Sequence, residues 1–353
     1  MTALLACLFI IASAGTAGAT EYVDVGLYGR VELSEVIVLA RVIDPAKALV
    51  RVERILKGEA PKEIRLVSYI EGFLGAPHRK PLIKDSRELL FLKKDEDAYA
   101  PLQTQYGRMV IDGDRLIDSF RSQPRSLSAT IASIQRLVKL QSRAARDDRE
   151  ADRAYVDAFK NSDVDVQLWA LGTVRERIKN PSPVLADAVL ARWPKDAGMV
   201  ANTIVVWRLH GSAPFFAHAL STSRDGDERS WAAMALGGAG DSSYAPLLRQ
   251  VATSDAHAQA RALAYNGLMW MLGPESFEDL KLGAKDGDEH VRARVVVDSY
   301  NLLELRRPDR RWPSASEALI AKVQAFLAEM QSDPSRLVSM NAKSMLSEIT
   351  RRR

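Results

Sequence analysis

The chain has 353 residues, 47% of them apolar and 27% charged, with a formal net charge of +4. That length exceeds a single domain of roughly 100 to 200 residues, and the composition is that of a folded globular protein, which excludes a fibrous or disordered chain. The basic excess is local: residues 126–353 hold 31 Lys and Arg against 28 Asp and Glu, three of the 31 being Arg351, Arg352 and Arg353, so the charge reads as solvated surface and no nucleic-acid partner is expected.

The first segment, "MTALLACLFIIASAGTAGAT", carries no charged side chain, has an apolar run from Leu4 to Ala12, and ends in small residues at Ala17, Gly18 and Ala19. That is the pattern of a secretory signal peptide over 1–19, cleaved before Thr20, and it points to a periplasmic or secreted protein with no stable membrane span after cleavage. Cys7 is the sole cysteine and falls inside this segment. The mature chain is therefore expected to have no disulfide framework, thiolate metal site or cysteine nucleophile.

Residues 20–122 read as an antiparallel β domain. "EVIVLARVI" (Glu35 to Ile43) stops at the turn pair Asp44-Pro45, and "ALVRVERIL" (Ala48 to Leu56) follows it as the second arm of a hairpin. Within "VRVERILKGEAPKEI" the alternation slips by one at Arg54 and Ile55, as a β-bulge requires, and Lys57-Gly58 ends the strand. "EIRLVSYI" (Glu63 to Ile70) gives a third strand. "RELLFLKK" (Arg87 to Lys94), apolar on consecutive positions, suits a strand covered on both faces. "RMVIDGDRLI" (Arg108 to Ile117) centres a hairpin on Asp112-Gly113. Between the third and fourth strands, "EGFLGAPHRKPL" (Glu71 to Leu82) is longer than a hairpin needs. It sets Phe73 and Leu74 beside His78, Arg79 and Lys80, an apolar pair next to a basic trio, and these five are the candidate partner-binding residues.

The order "EVIVLARV", "VRVERILKG", "LLFLKK", "YGRMVIDG" resembles the OB-like barrel domains of exported bacterial proteins, which are similar in fold to tissue inhibitors of metalloproteinases. The resemblance covers roughly Glu21 to Ser119 and implies a small closed barrel. The animal inhibitors chelate the protease zinc through an N-terminal cysteine, and the mature start expected here has none.

Past "SFRSQPRS" (Ser119 to Ser126) the periodicity becomes helical, as in "EALIAKVQAFLAEM" (Glu317 to Met330). Acidic helix starts recur at Asp165, Asp196, Asp227 and Asp288, the first two intervals being 31 residues and the last, 61, leaving room for a unit near His257. With glycine exits in "RSWAAMALGGAGD" and "AQARALAYNGLMWMLG", the pattern over 123–353 is similar to the short bacterial form of the HEAT-like repeat family, in which acidic residues cap the first helix. Five to six helix pairs stacked into a solenoid are expected, with Trp169, Trp193, Trp207, Trp231, Trp270 and Trp312 as inter-repeat core.

The fold class is thus α+β in two domains, a small antiparallel OB-like β-barrel followed by an all-α HEAT-like solenoid. The five histidines, at 78, 210, 218, 257 and 290, show no metal-ligand spacing, and no nucleophile elbow, P-loop or dinucleotide fingerprint occurs. No enzyme, metal or cofactor is expected. The expected function is an exported protein-interaction scaffold binding a protein or peptide partner through the solenoid, the barrel loops or both. The alternative is an inhibitor or regulator of an envelope or extracellular enzyme such as a protease.

Overall fold

The computed structural model describes residues 27–67, 82–95, 98–102, 107–117, 125–303 and 315–352. The segment 1–19, the five candidate residues of the 71–82 loop and Trp312 lie outside the described residues. The chain divides into a unit of residues 21–188 and a unit reaching from 189 to 353.

The first unit begins with a short helix, α1 (Leu27–Leu33), followed by β1 (Val36–Asp44) and β2 (Leu49–Lys57) paired antiparallel. The register slips three times along this pair: Glu53 and Leu56 stand without opposite partners on either side of the predicted Arg54–Ile55 slip, and Ile43 of β1 does so at the third. β2 is released at Gly58, whose φ is +72°, and a Cβ there would meet the Glu35 carbonyl oxygen at 2.3 Å, so only glycine fits. Lys57 Nζ donates to the Val31 carbonyl at 2.6 Å, tying the end of β2 to α1.

β3 (Glu63–Arg65), β4 (Arg87–Asp95), β5 (Ala98–Pro101), β6 (Arg108–Asp112), β7 (Arg115–Ile117) and β8 (Arg125–Ser126) complete the sheet. Its order is β3-β2-β1-β4-β6-β7-β8, with β5 paired to β4. The ladder does not run on into a ring. Among the described residues, the backbone link between the ends of β3 and β5 is a parallel bridge of Leu66 with Tyr99, in which the Val67 N–H donates to the Tyr99 carbonyl at 2.9 Å. The β6–β7 hairpin turns where the Asp112-Gly113 signal placed it, with Gly113 at a φ of +60°.

Val36, Val38, Ala40 and Val42 of β1, with Val50, Ile64, Leu66, Leu90 and Leu92, form one apolar core. Glu88 and Arg108 are both buried, and the guanidinium grips the carboxylate through two nitrogens, Nε to Oε2 at 2.6 Å and Nη2 to Oε1. Burial works against both charges, pushing the Glu88 carboxyl up to about 7 and the Arg108 guanidinium down to about 10.

Four helices follow: α2 (Leu127–Ala144), α3 (Asp148–Phe159), α4 (Val164–Arg177) and α5 (Pro183–Leu190). The compact units divide at 188/189, inside α5, so α2, α3 and α4 fall in one unit with the sheet. The reason is local. β8 adds to the sheet beside β7 and runs straight into α2, the Leu127 N–H donates to the Asp114 carbonyl at 2.8 Å, and Arg125 reaches Asp165 of α4 at 2.8 Å. α1 also packs on α4, where Gly172 faces Tyr28. These bonds join helices to sheet across the point where the periodicity changes.

The second unit alternates first and second helices. The first helices are α6 (Ala197–Trp207), α8 (Gly226–Ala239), α10 (Ala258–Leu272), α12 (Glu289–Asn301) and α14 (Arg336–Arg352); between them come α7 (Ala213–Thr222), α9 (Ala245–Ser254), α11 (Phe277–Gly283) and α13 (Glu317–Met330). α13 coincides with the predicted Glu317 to Met330 stripe and buries Leu319, Val323, Phe326, Leu327 and Met330. The capping residues sit slightly off the predicted spacing. Asp163, not Asp165, caps α4, Asp225, not Asp227, caps α8, and Asp288 caps α12 as expected. Asp196 stands at the N-terminus of α6 without a side-chain cap bond.

Candidate interaction surface

The first helices of the second unit are held in register by a repeated device. Arg229 of α8 binds Asp255 through Nε and Nη2 at 2.7 and 2.8 Å. Arg261 of α10 binds Asp286 at 2.7 and 2.8 Å, and Arg292 of α12 binds Asp333 at 2.8 and 3.0 Å. In each case the third nitrogen donates to the carbonyl of a residue just before the arginine's own helix: Ser223, Asp255 and Asp286 respectively. Each aspartate also takes an N–H from two residues on, at His257, Asp288 and Ser335. One carboxylate thus turns the chain into the next first helix and receives the arginine of the preceding one. Their arginine partners hold Asp255, Asp286 and Asp333 below the ordinary carboxylate value of 3.8.

Glycine lets the helices approach closely. A Cβ on Gly237 of α8 would lie 2.2 Å from the Gly267 Cα of α10, and one on Gly238 would lie 2.6 Å from the Val205 Cα of α6. Backbones in such contact leave no room for large side chains in the middle of the layer, and the bulky residues gather at its edge.

There, α6, α8, α10 and α12 line an open cavity of about 470 Å³. Its floor is apolar: the lining Met234 and Leu263 belong, with Val205 behind them, to a buried cluster against which Trp231 and Trp270 are packed half-buried. The Trp231 indole lies on Gly198 of α6, where a Cβ would meet ring carbons at 3.1 Å. Along α6, Met199 and Val206 are exposed at 38% and 43%, and Asn202 lies between them and lines the cavity. Behind one wall runs a polar chain that ends at the lining Arg294. Trp270 Nε1 donates to Asn266 Oδ1 at 3.1 Å, Asn266 Nδ2 donates to Asp298 Oδ1 at 3.0 Å, and Arg294 Nε donates to Asp298 Oδ2 at 2.9 Å. Asn266 and Asp298 are buried, so this chain fixes the orientation of Arg294, which lines the cavity.

Among the described residues, no group of three or more His, Cys, Asp or Glu could hold a metal ion, and no helix is long and apolar enough to cross a membrane. Phe73, Leu74, His78, Arg79 and Lys80 lie outside the described residues. The groove was missed by the sequence reading. The sequence places Trp231 in the inter-repeat core, whereas the core positions are filled by Trp169 and Trp207 at 2% and 7% exposure. The available signal was on α6, where Met199, Asn202 and Val206 recur at helical spacing on a helix without any charge.

A family model described as HEAT repeats matches residues 213–300, which run from the start of α7 to near the end of α12. No curated protein matches the chain. Among solved structures, an engineered protein from the Northeast Structural Genomics Consortium is 15% identical, covering 62% of this chain and 92% of its own, with a TM-score of 0.29. A designed armadillo repeat protein is 14% identical, covering 64% and 95%, with a TM-score of 0.26. Superpositions this loose carry no argument, and the repeat assignment rests on the family match and on the ladder of arginines and aspartates.

Proposed function

We propose that the chain is an exported, non-enzymatic scaffold that binds a protein partner in the groove across the first helices of residues 189–353. The supporting observation is the cavity itself. It joins an apolar floor to a fixed polar wall and is presented by a HEAT-repeat array, a construction typical of protein-interaction scaffolds. The sheet is proposed as an OB-like barrel. Its support is that β3, β2, β1, β4 and β5 are successive neighbours and that the isolated Leu66–Tyr99 bridge links the two ends of that open series. Export is proposed from the 1–19 segment alone.

Site-specific photocrosslinking in a native-like host tests the reading. A photoreactive residue at Met199 or Val206 should give a discrete adduct, and one at Leu282, 51% exposed on α11, should not. Adducts from Leu282 without any from Met199 or Val206 would move the partner to the second-helix side.

A further inference from the structure

We infer that the exposed face of α14 docks on an anionic phospholipid surface and holds the chain peripherally at a membrane. This goes beyond the groove and does not depend on it.

The whole positive excess of the chain lies in α14 and the residue after it. Residues 336–353 hold five Lys and Arg against Glu348 alone, whereas residues 1–335 hold 44 of each sign. Along α14, Arg336, Met340, Lys343, Ser347 and Arg351 are exposed and succeed one another at steps of three and four residues, so they share one face. The other side buries Val338, Ala342 and Ile349. Arg336 and Lys343 have no side-chain hydrogen bond or ion pair among the described residues. Glu348, the one carboxylate of the helix, is 15% exposed and is taken by Arg351 Nη2 at 2.6 Å. Next to α14, Asp333 is closed by Arg292, and Glu289 accepts from the Ser335 hydroxyl. α13 exposes Glu317 and Glu329 against Lys322, and neither glutamate enters the shallow hollow of about 580 Å³ beside α14. That hollow is lined by Gln331, Lys343, Leu346, Ser347, Thr350 and Arg351, without a carboxylate.

Helix stability does not account for these cations. Arg351 in the last turn complements the negative end of the helix dipole, but Arg336 opens the first turn, where a cation is disfavoured, and Lys343 is in mid-helix. Their spacing selects the occupant. Arg336 and Arg351 are 15 residues apart, about 22 Å along the axis, on the outward curve of a single helix. A plane of headgroups meets all three cations at once, whereas one free phosphate meets one of them. Met340, 54% exposed between Arg336 and Lys343, is an apolar side chain placed to enter the headgroup layer. Each cation held within a Debye length of an anionic bilayer strengthens binding about fivefold.

The test is sedimentation of the mature chain with sucrose-loaded vesicles of phosphatidylglycerol and phosphatidylcholine in equal parts, and with phosphatidylcholine alone. Binding to the anionic vesicles should exceed binding to the neutral ones at least about tenfold at about 20 mM salt and disappear toward about 0.5 M. Arg336→Gln with Lys343→Gln should weaken it about 25-fold without moving Tm. Arg224→Gln with Lys285→Gln removes the same charge from two other exposed positions and should change binding less than about twofold. Equal losses from the two pairs would assign the binding to net charge and overturn the α14 face. Equal sedimentation with both vesicles, or with neither, would overturn the anionic lipid surface. Tighter binding to polyglutamate or to a single-stranded oligonucleotide than to vesicles of equal anionic charge, lost in Arg336→Gln with Lys343→Gln, would replace the membrane with an acidic polymer.

Discussion

Replacing Arg261 by methionine removes a guanidinium that makes three bonds, two to the Asp286 carboxylate at 2.7 and 2.8 Å and one to the Asp255 carbonyl at 2.8 Å. The methionine keeps most of the aliphatic volume, so the loss is chiefly electrostatic. Stranding a buried partner costs about 3 to 5 kcal/mol. Here the side chains retain 18% and 11% exposure, and water recovers part of that, so about 2 to 3 kcal/mol is expected. For a unit of this size that is a fall of about 5 to 10 °C in Tm, read by circular dichroism at 222 nm. Arg249 supplies the control, because it grips Asp279 with the same two-nitrogen geometry at 2.9 and 3.0 Å while 48% exposed. Arg249→Met should cost under about 1 kcal/mol. The cycle Arg261→Met with Asp286→Asn should show a coupling of at least about 1 kcal/mol. The acid side gives a second check. Arg261 depresses the Asp286 pKa below the 3.8 of an ordinary aspartate, so its contribution is complete above that pH and is lost as pH falls through the lower folded value. The gap between wild type and Arg261→Met should therefore narrow below about pH 4. Equal losses for Arg261→Met and Arg249→Met, or no coupling in the cycle, would refute the argument that buried ion pairs hold the repeats in register.

Three further outcomes are expected. Arg108→Met should destabilise the first unit by about 3 to 5 kcal/mol in denaturant titrations by leaving Glu88 buried and unpaired, and adding Glu88→Leu should restore most of the loss; no recovery would mean that the pair is needed for more than charge balance. Gly237→Ala should lower Tm markedly because its Cβ would overlap the Gly267 backbone, whereas Gly287→Ala, with open space around it, should leave Tm within about 2 °C. Mass spectrometry of protein from a native-like host should find Thr20 as the first residue, and intact Met1 in a cytosolic fraction would overturn the proposed export.

Much of the local structure was written in the chain itself. Proline at 45 and glycines at 58 and 113 fix where strands end and turn, because ring closure and positive φ act within two or three residues. The stripe from Leu319 to Met330 fixed α13 for the same reason, since one helix face repeats within its own few turns. The capping aspartates were legible only to within two residues. A run such as Asp225-Gly226-Asp227 offers two acceptors, and backbone geometry chooses between them. What the tertiary structure decided depends on contacts between distant residues. Arg125 meets Asp165 and joins helices to the sheet, so the compact unit extends past the change in periodicity. Trp231 leaves the core because Gly198, 33 positions earlier, offers a bare backbone for its indole, and no spacing within α8 encodes that neighbour. The groove has the same origin. It is assembled from four helices, three of which meet closely at Gly237, Gly238 and Gly267, and side chains that look interchangeable in each helix become a surface only when backbones pack that closely.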